Sequence, residues 1–202
     1  QVIILADSES TQVAEISSEL QQTPMMLCPE PSDAVPSSIA QRAWPVPRHL
    51  KMQLLLRFMT EFDPGPMLVI FEGHNFGLRI ARKMRARNIS VGTILDNDRG
   101  KRERTTLQRF HSGIYQILVM SGKISPKIQT HKVTHVVNYD FPSDRLAYFA
   151  HLQSMPQAMF LNLVAPEDEQ RLLEVEHQLG RPMRRDELAN FDYSSPPPTS
   201  GR

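Results

Sequence analysis

An α/β fold, a doubly wound parallel sheet flanked by helices on both faces, is predicted by three features of this chain. Short apolar runs recur at 67–71 (MLVIF), 116–120 (QILVM) and 133–137 (VTHVV). Segments with helical spacing of apolar residues separate them, and strands alternating with helices pair in parallel. The run at 133–137 is β-branched, is closed by Asn138, Tyr139 and Asp140, and is stopped by Pro142. A polar end on an apolar parallel strand is where open sheets place ligand-facing groups. Asn138 and Asp140 are therefore candidate site residues, with the capping of a turn as the equal alternative.

Taken in order, residues 2–5 (VIIL) read as a buried strand and 13–20 as a short amphipathic helix entered from Ser10 or Thr11. Pro24, Pro29, Pro31, Pro36, Pro45 and Pro47 break regular structure across 24–48, which reads as a linker with Trp44 as its anchor. A helix follows over 51–62, with Leu54, Leu55, Phe58 and Met59 on one side. Then come strand 67–71, helix 76–87, strand 90–95, helix 102–111, and the strands at 116–120 and 133–137. Helix 145–151, strand 158–164 and helix 166–178 complete the series. The tail SSPPPTSGR reads as disordered or polyproline-like, and there is no internal repeat. The domain bounds expected are 1–23, 24–48 for the linker, 49–180 for the main domain and 181–202 for a C-terminal extension.

Composition narrows the function classes. The 202 residues suffice for one core with an appended arm, and 40% hydrophobic content reads as globular. No apolar run approaches the ~18 residues that span a membrane, and no basic segment followed by an apolar stretch opens the chain. It opens on Gln1, which reads as a fragment. A single cysteine, Cys28, excludes an internal disulfide and a Cys-rich zinc site, so a reducing compartment, by default the cytoplasm or nucleus, is expected. His131 and His135 have a metal-compatible spacing but no third ligand nearby, so packing or surface roles are expected. The methionines read mainly as core filler.

Formal net charge is only +1, so a nucleic-acid surface has to come from clustering. Two clusters exist: Arg79, Arg82, Lys83, Arg85 and Arg87, and Arg99, Lys101, Arg102, Arg104 and Arg109. In the first, Arg79, Arg82, Lys83 and Arg87 read as a solvated helix face.

The run from 51 to 176 resembles the second RecA-like lobe of DEAD-box RNA helicases. Three landmarks carry the resemblance: LVIF after a Lys-led helix, LQRFHSGIYQILVM at 107–120, and VVNYDFP at 136–142. The first 23 residues resemble the end of the preceding lobe, beginning at its motif III strand. The fold implied is a RecA-like doubly wound sheet.

The family's functional motifs are degraded in this chain. Ala6, Asp7 and Ser8 stand where motif III is Ser-Ala-Thr, and the Gln-x-x-Arg element falls on Gly100 and Glu103, with Arg102 and Arg104 adjoining it. Motif V falls on Ser121, Gly122, Ser125, Pro126, Lys127, Ile128 and Gln129, without its two acids. Motif VI, His-Arg-x-Gly-Arg-x-Gly-Arg in the family, falls on Ala150, His151, Leu152, Gln153, Ser154, Met155, Pro156 and Gln157. Phosphate-facing arginines of this kind raise rates by ~10³ to 10⁵. The degenerate nucleotide-facing positions are Gln129, His151, Ser154 and Gln157, and no catalytic residue is expected. The glycine-rich phosphate loop and acidic quartet of the family's first lobe are also missing from this sequence, so ATP and magnesium are expected only where an intact first lobe supplies their site.

The resemblance implies RNA binding through backbone phosphates at strand ends and helix N-termini. The candidates are Gly73 and His74, then Arg99, Lys101, Arg102 and Arg104, then Ser121, Gly122 and Lys123. Two functions compete: a non-catalytic platform for single-stranded RNA, a protein partner or self-association, and the C-terminal lobe of an active ATP-dependent RNA helicase. The first is similar to helicase-like segments of Tudor-domain proteins of the Yb type in the germline small-RNA (piRNA) pathway.

Overall fold

The structure, a computed structural model, describes residues 38–197 other than Pro64, Gly73, Asp96, Asn97, Arg99, Gly122, Lys123, Ser125 and Pro126, and omits the side chains of His74 and Asn75. The expected strand at 2–5, the helix at 13–20, motif III and Cys28 lie outside the described residues.

Seven strands among the described residues form one parallel sheet. They are Gln41–Pro45 (β1), Met67–Phe71 (β2), Val91–Ile94 (β3), Ile117–Ser121 (β4), His135–Asn138 (β5), Met159–Val164 (β6) and Arg184–Arg185 (β7), in the order β3-β4-β2-β5-β6-β1-β7. The helices are Lys51–Phe62 (α1), His74–Arg85 (α2), Lys101–His111 (α3), Arg145–Ser154 (α4) and Glu169–Leu179 (α5). The doubly wound parallel sheet expected from the sequence is the fold observed.

Strand β2 shows why its sequence is apolar throughout. Met67, Val69 and Phe71 enter one core cluster with Leu54, Leu55 and Phe58 of α1 and Ile80 and Met84 of α2. Leu68 and Ile70 enter the other, with Leu107 and Phe110 of α3, Tyr148 and Leu152 of α4, and Leu172 of α5. Side chains alternate between faces, and both faces are covered, so every position is buried. Contact with α2 is close enough to demand a missing side chain: a Cβ on Gly77 would lie 1.8 Å from Phe71 Cζ. At the other end of the chain, α5 stops at Gly180, whose φ of 66° supplies the left-handed cap.

Two expectations are corrected. The stretch 24–48 is not linker throughout, because β1 lies inside it and pairs with β6 from Gln41↔Phe160 to Pro45↔Val164. Pro45 ends this strand instead of preventing it: the next residue, Val46, donates its N–H to Val164 O at 2.8 Å, so no essential ladder bond is lost. Trp44 is buried and meets Phe58 edge-on at 5.2 Å. The extension beyond 180 is likewise part of the body. Arg184 and Arg185 pair with Arg42 and Ala43, Met183 and Leu188 are buried, and Phe191 and Tyr193 pack against the core. The main domain therefore exceeds the expected 49–180 at both ends.

Candidate nucleic-acid interface

All strand pairs are parallel, so every strand ends on one edge of the sheet. The order β3-β4-β2 sets three predicted groups side by side there: the turn after β3 with the start of α3, the end of β4, and the start of α2. Their proximity comes from topology, since the groups are far apart in sequence. Gly73, Arg99, Gly122 and Lys123 lie outside the described residues, and His74 is described only as the first residue of α2.

Lys101, Arg102 and Arg104 are exposed on the first turn of α3. Asp98 shapes this turn by accepting the Leu95 N–H at 3.0 Å, and its other carboxylate oxygen holds Arg102 at 3.2 Å. Gly100 precedes the helix with φ of 72°, in open space. Lys101 and Arg104 have no carboxylate partner among the described residues. Ser121 ends β4 buried beside Phe71. Lys127, further along the stretch that the sequence aligned with motif V, is committed to Glu103 at 2.7 Å. Unpaired cations near a helix N-terminus form a surface suited to phosphate.

The positions expected to face a nucleotide are taken up by contacts within the fold. His151 is 5% exposed on the buried side of α4; burial pushes its pKa down to about 4, and its Nδ1 has no hydrogen-bond partner among the described residues. Ser154 donates to His151 O at 2.9 Å and Gln157 to Thr130 O, while Gln129 gives its backbone N–H to His111 Nε2 at 3.0 Å. The last two of these bonds tie separate segments together, across 27 and 18 positions of sequence.

Asn138 and Asp140 part company. Asn138 is fully buried and donates to Asn162 Oδ1 at 2.7 Å, in a polar network that runs on to the Tyr148 hydroxyl. Asp140 accepts the Glu72 N–H at 3.0 Å, tying the end of β5 to that of β2. Burial raises its pKa, against that hydrogen bond and the charges of Lys51 and Arg48.

Sequence reasoning missed a buried ion cluster beside this edge. Lys51 Nζ, with no exposed surface, lies 3.2 Å from Asp168 Oδ2, and Asp168 also bonds Arg171 and the Ala165 N–H. Burial lowers the Lys51 pKa, against the attraction of Asp168. The only sequence signal was a lysine on the apolar side of a helix. Among the described residues no cluster of His, Cys, Asp and Glu could hold a metal.

No family model matches the chain. Over 156 residues it is 27% identical to ATP-dependent RNA helicase DBP8 of Eremothecium gossypii, covering 74% of this chain and 36% of that protein. It is 28% identical over 150 residues to ATP-dependent RNA helicase DeaD of Mycobacterium tuberculosis, covering 73% and 26%. Among solved structures, the Escherichia coli DEAD-box protein SrmB, bound to RraA, superposes with a TM-score of 0.68 at 16% identity, covering 80% of this chain and 98% of that one. The lobe has the RecA-like fold of DEAD-box C-terminal domains. The C-terminal domain of Saccharomyces cerevisiae Dbp5, bound to Gle1 and IP6, shares that DEAD-box fold with a TM-score of 0.67 at 16% identity, covering 73% and 89%. The chain spans about a quarter to a third of the length of these two curated relatives (26% and 36%). Among the described residues no helix is long and apolar enough to cross a membrane.

Proposed function

We propose that this DEAD-box-like lobe binds single-stranded RNA, and serves as a platform for a protein partner or a second copy of itself, without turning over ATP. The observation that carries the non-catalytic reading is His151. At the register position where the resemblance puts a phosphate-facing arginine, the chain has a buried imidazole whose pKa is pushed down to about 4. A neutral ring cannot supply a fixed, bidentate cation to a transferring phosphoryl group. Ser154 and Gln157, at two more such positions, are spent on backbone carbonyls.

RNA binding has separate support. Lys101 and Arg104 stand exposed where three strand-end loops adjoin, and the curated relatives are named as RNA helicases. Phosphate contacts of this sort grip a strand without reading its bases. In this proposal the lobe holds neither ATP nor magnesium by itself, works in the cytoplasm, and is a pseudohelicase like the Yb-type segments of Tudor-domain proteins.

RNA-stimulated phosphate release by the full-length protein is the test. No release above background, with oligouridine bound, is the expected result. Turnover that is stimulated by RNA and lost on Lys127→Ala or His151→Ala overturns the non-catalytic reading in favour of an active helicase lobe.

A further inference from the structure

On the side of the sheet covered by α1 and α2, a cavity of about 550 Å³ opens where β2 and β5 end. Its apolar wall comes from Met52 on α1, Phe76 and Ile80 on α2, and Tyr139 and Phe141 beyond β5. Phe76 and Tyr139 lie 5.3 Å apart as a tilted aromatic pair. Such a wall offers large flat apolar contacts at little conformational cost.

The rim is cationic, and its charges are unevenly committed. Arg48 pairs with Glu167 at 3.3 Å and Arg171 with Asp168. Arg79 and Lys83 have no carboxylate partner among the described residues, and the Arg79 guanidinium sits 5.9 Å over the Phe76 ring. Of the three acids at the cavity, Asp168 is held by Lys51 and Arg171 on its two oxygens, while Asp140 Oδ2 accepts the Glu72 N–H and Glu72 Oε1 accepts the Ser143 N–H.

Helix α2 sharpens the contrast. Its sequence, HNFGLRIARKMR, has no acid, and exposed Arg79, Arg82 and Lys83 are like charges at i,i+3 and i,i+4 spacing. Such spacing is self-repelling. Helix α1 shows the ordinary solution, Arg57 paired with Glu61. An anionic partner would relieve on α2 what no residue of its own relieves.

We propose that this groove docks an acidic segment of a partner protein, with one aromatic or aliphatic side chain packing against the Phe76–Tyr139 pair inside the cavity and flanking carboxylates meeting Arg79 and Lys83. A peptide suits the mixture better than RNA does. Peptide N–H groups can donate to the free oxygens of Asp140 and Glu72, whereas a phosphodiester chain would bring anions onto those carboxylates. Peptide grooves commonly combine an apolar anchor pocket with charged rims. The groove draws its free cations from α2 and none from α3, so it stands whether or not the α3 cations hold RNA.

The test uses the whole chain and a fluorescein-labelled peptide, Asp-Glu-Asp-Phe-Asp-Glu-Leu-Asp, read by anisotropy, with a Phe-to-Gly peptide and octauridine alongside. The expected result is at least a tenfold loss of peptide affinity in the exposed pair Arg79→Glu with Lys83→Glu, and a comparable loss for the Phe-to-Gly peptide. The charge-matched pair Arg57→Glu with Arg145→Glu should bind as the unaltered chain does. Equal binding of the two peptides, equal losses in the two charge-reversed pairs, or absence of peptide binding each overturns the proposal. Octauridine binding that depends on Arg79 and Lys83 and displaces the peptide assigns the groove to RNA and overturns it as well. Circular dichroism confirms that each variant is folded, and since all four replaced arginines and lysines are exposed, folding is expected to survive.

Discussion

Lys51 opens α1 and Lys101 opens α3, yet the same residue type at the same place in two helices of similar length does opposite things. Lys51 has no exposed surface and is held against Asp168 at 3.2 Å, with Arg171 on the other carboxylate oxygen. Lys101 stands in solvent without a carboxylate partner among the described residues. The difference lies in what each helix start meets. Helix α1 begins beneath the 3-10 turn Pro166–Asp168 that leads into α5, whereas α3 begins at the outer end of the sheet, where β3 is the edge strand. Buried charge is therefore bound to the fold, and exposed charge is available to a ligand.

Removing a partner from the buried cluster should have the largest effect. Asp168→Ala leaves Lys51 without its counter-charge in the interior and is expected to cost about 3–5 kcal/mol of stability, measured by urea unfolding. Lys101→Ala, its counterpart at α3, should change stability by less than about 0.5 kcal/mol. Equal losses would erase the distinction between the two lysines.

His151 extends the comparison to a buried group that is kept neutral. Its pKa falls from 6.5 in the free side chain to about 4 in the fold, because burial penalises the imidazolium. Between those values the unfolded chain binds a proton that the folded chain does not, so this residue makes stability fall as pH drops from about 6.5 to about 4. At 1.36 kcal/mol per unit, the loss is roughly 3 kcal/mol, and it levels off below pH 4. Stability measured against pH for the natural chain and for His151→Leu should diverge through this window and run parallel below it. Parallel curves throughout would show that the ring is reached by solvent.

Gly77 tests packing at the same end of the sheet without any charge. An added methyl would run into the Phe71 ring, so Gly77→Ala should cost about 1–3 kcal/mol despite alanine's higher helix propensity. A gain in stability would mean that α2 can lift from the sheet.

The smallest effect on stability, and the clearest on binding, belongs to Lys101→Ala with Arg102→Ala and Arg104→Ala. Stability should stay within about 0.5 kcal/mol, while the plot of log affinity for oligouridine against log salt should flatten by about 2, from three lost cations at ~0.7 each on single strands. An unchanged slope would remove α3 from the RNA interface.

Much of this lobe was legible in local pattern. The bounds of α1 and β2 follow directly from their apolar spacing, and the other helices and central strands lie within a few residues of their expected limits. β1 and β7 were hidden for different reasons: prolines around β1 read as breaks although Pro45 only ends it, and two arginines give β7 no apolar signal at all. The RNA candidates could be named from a resemblance, whereas helical charge spacing read Arg79 and Lys83 as a solvated face, and both are exposed. What distinguishes them is the cavity beside them, whose walls come from α1, α2 and the segment after β5.

The sequence by itself determined the alternation of strands and helices, the double covering of the sheet and the absence of arginines at the motif VI positions, because each is written in contiguous residues. Only the tertiary structure decided which charges are buried and which are free. Lys51 and Asp168 are 117 residues apart. Their pairing, like the burial of His151, depends on which helix face turns inward once the sheet is assembled, and burial is what separates a charge that holds the fold from one that can hold a ligand.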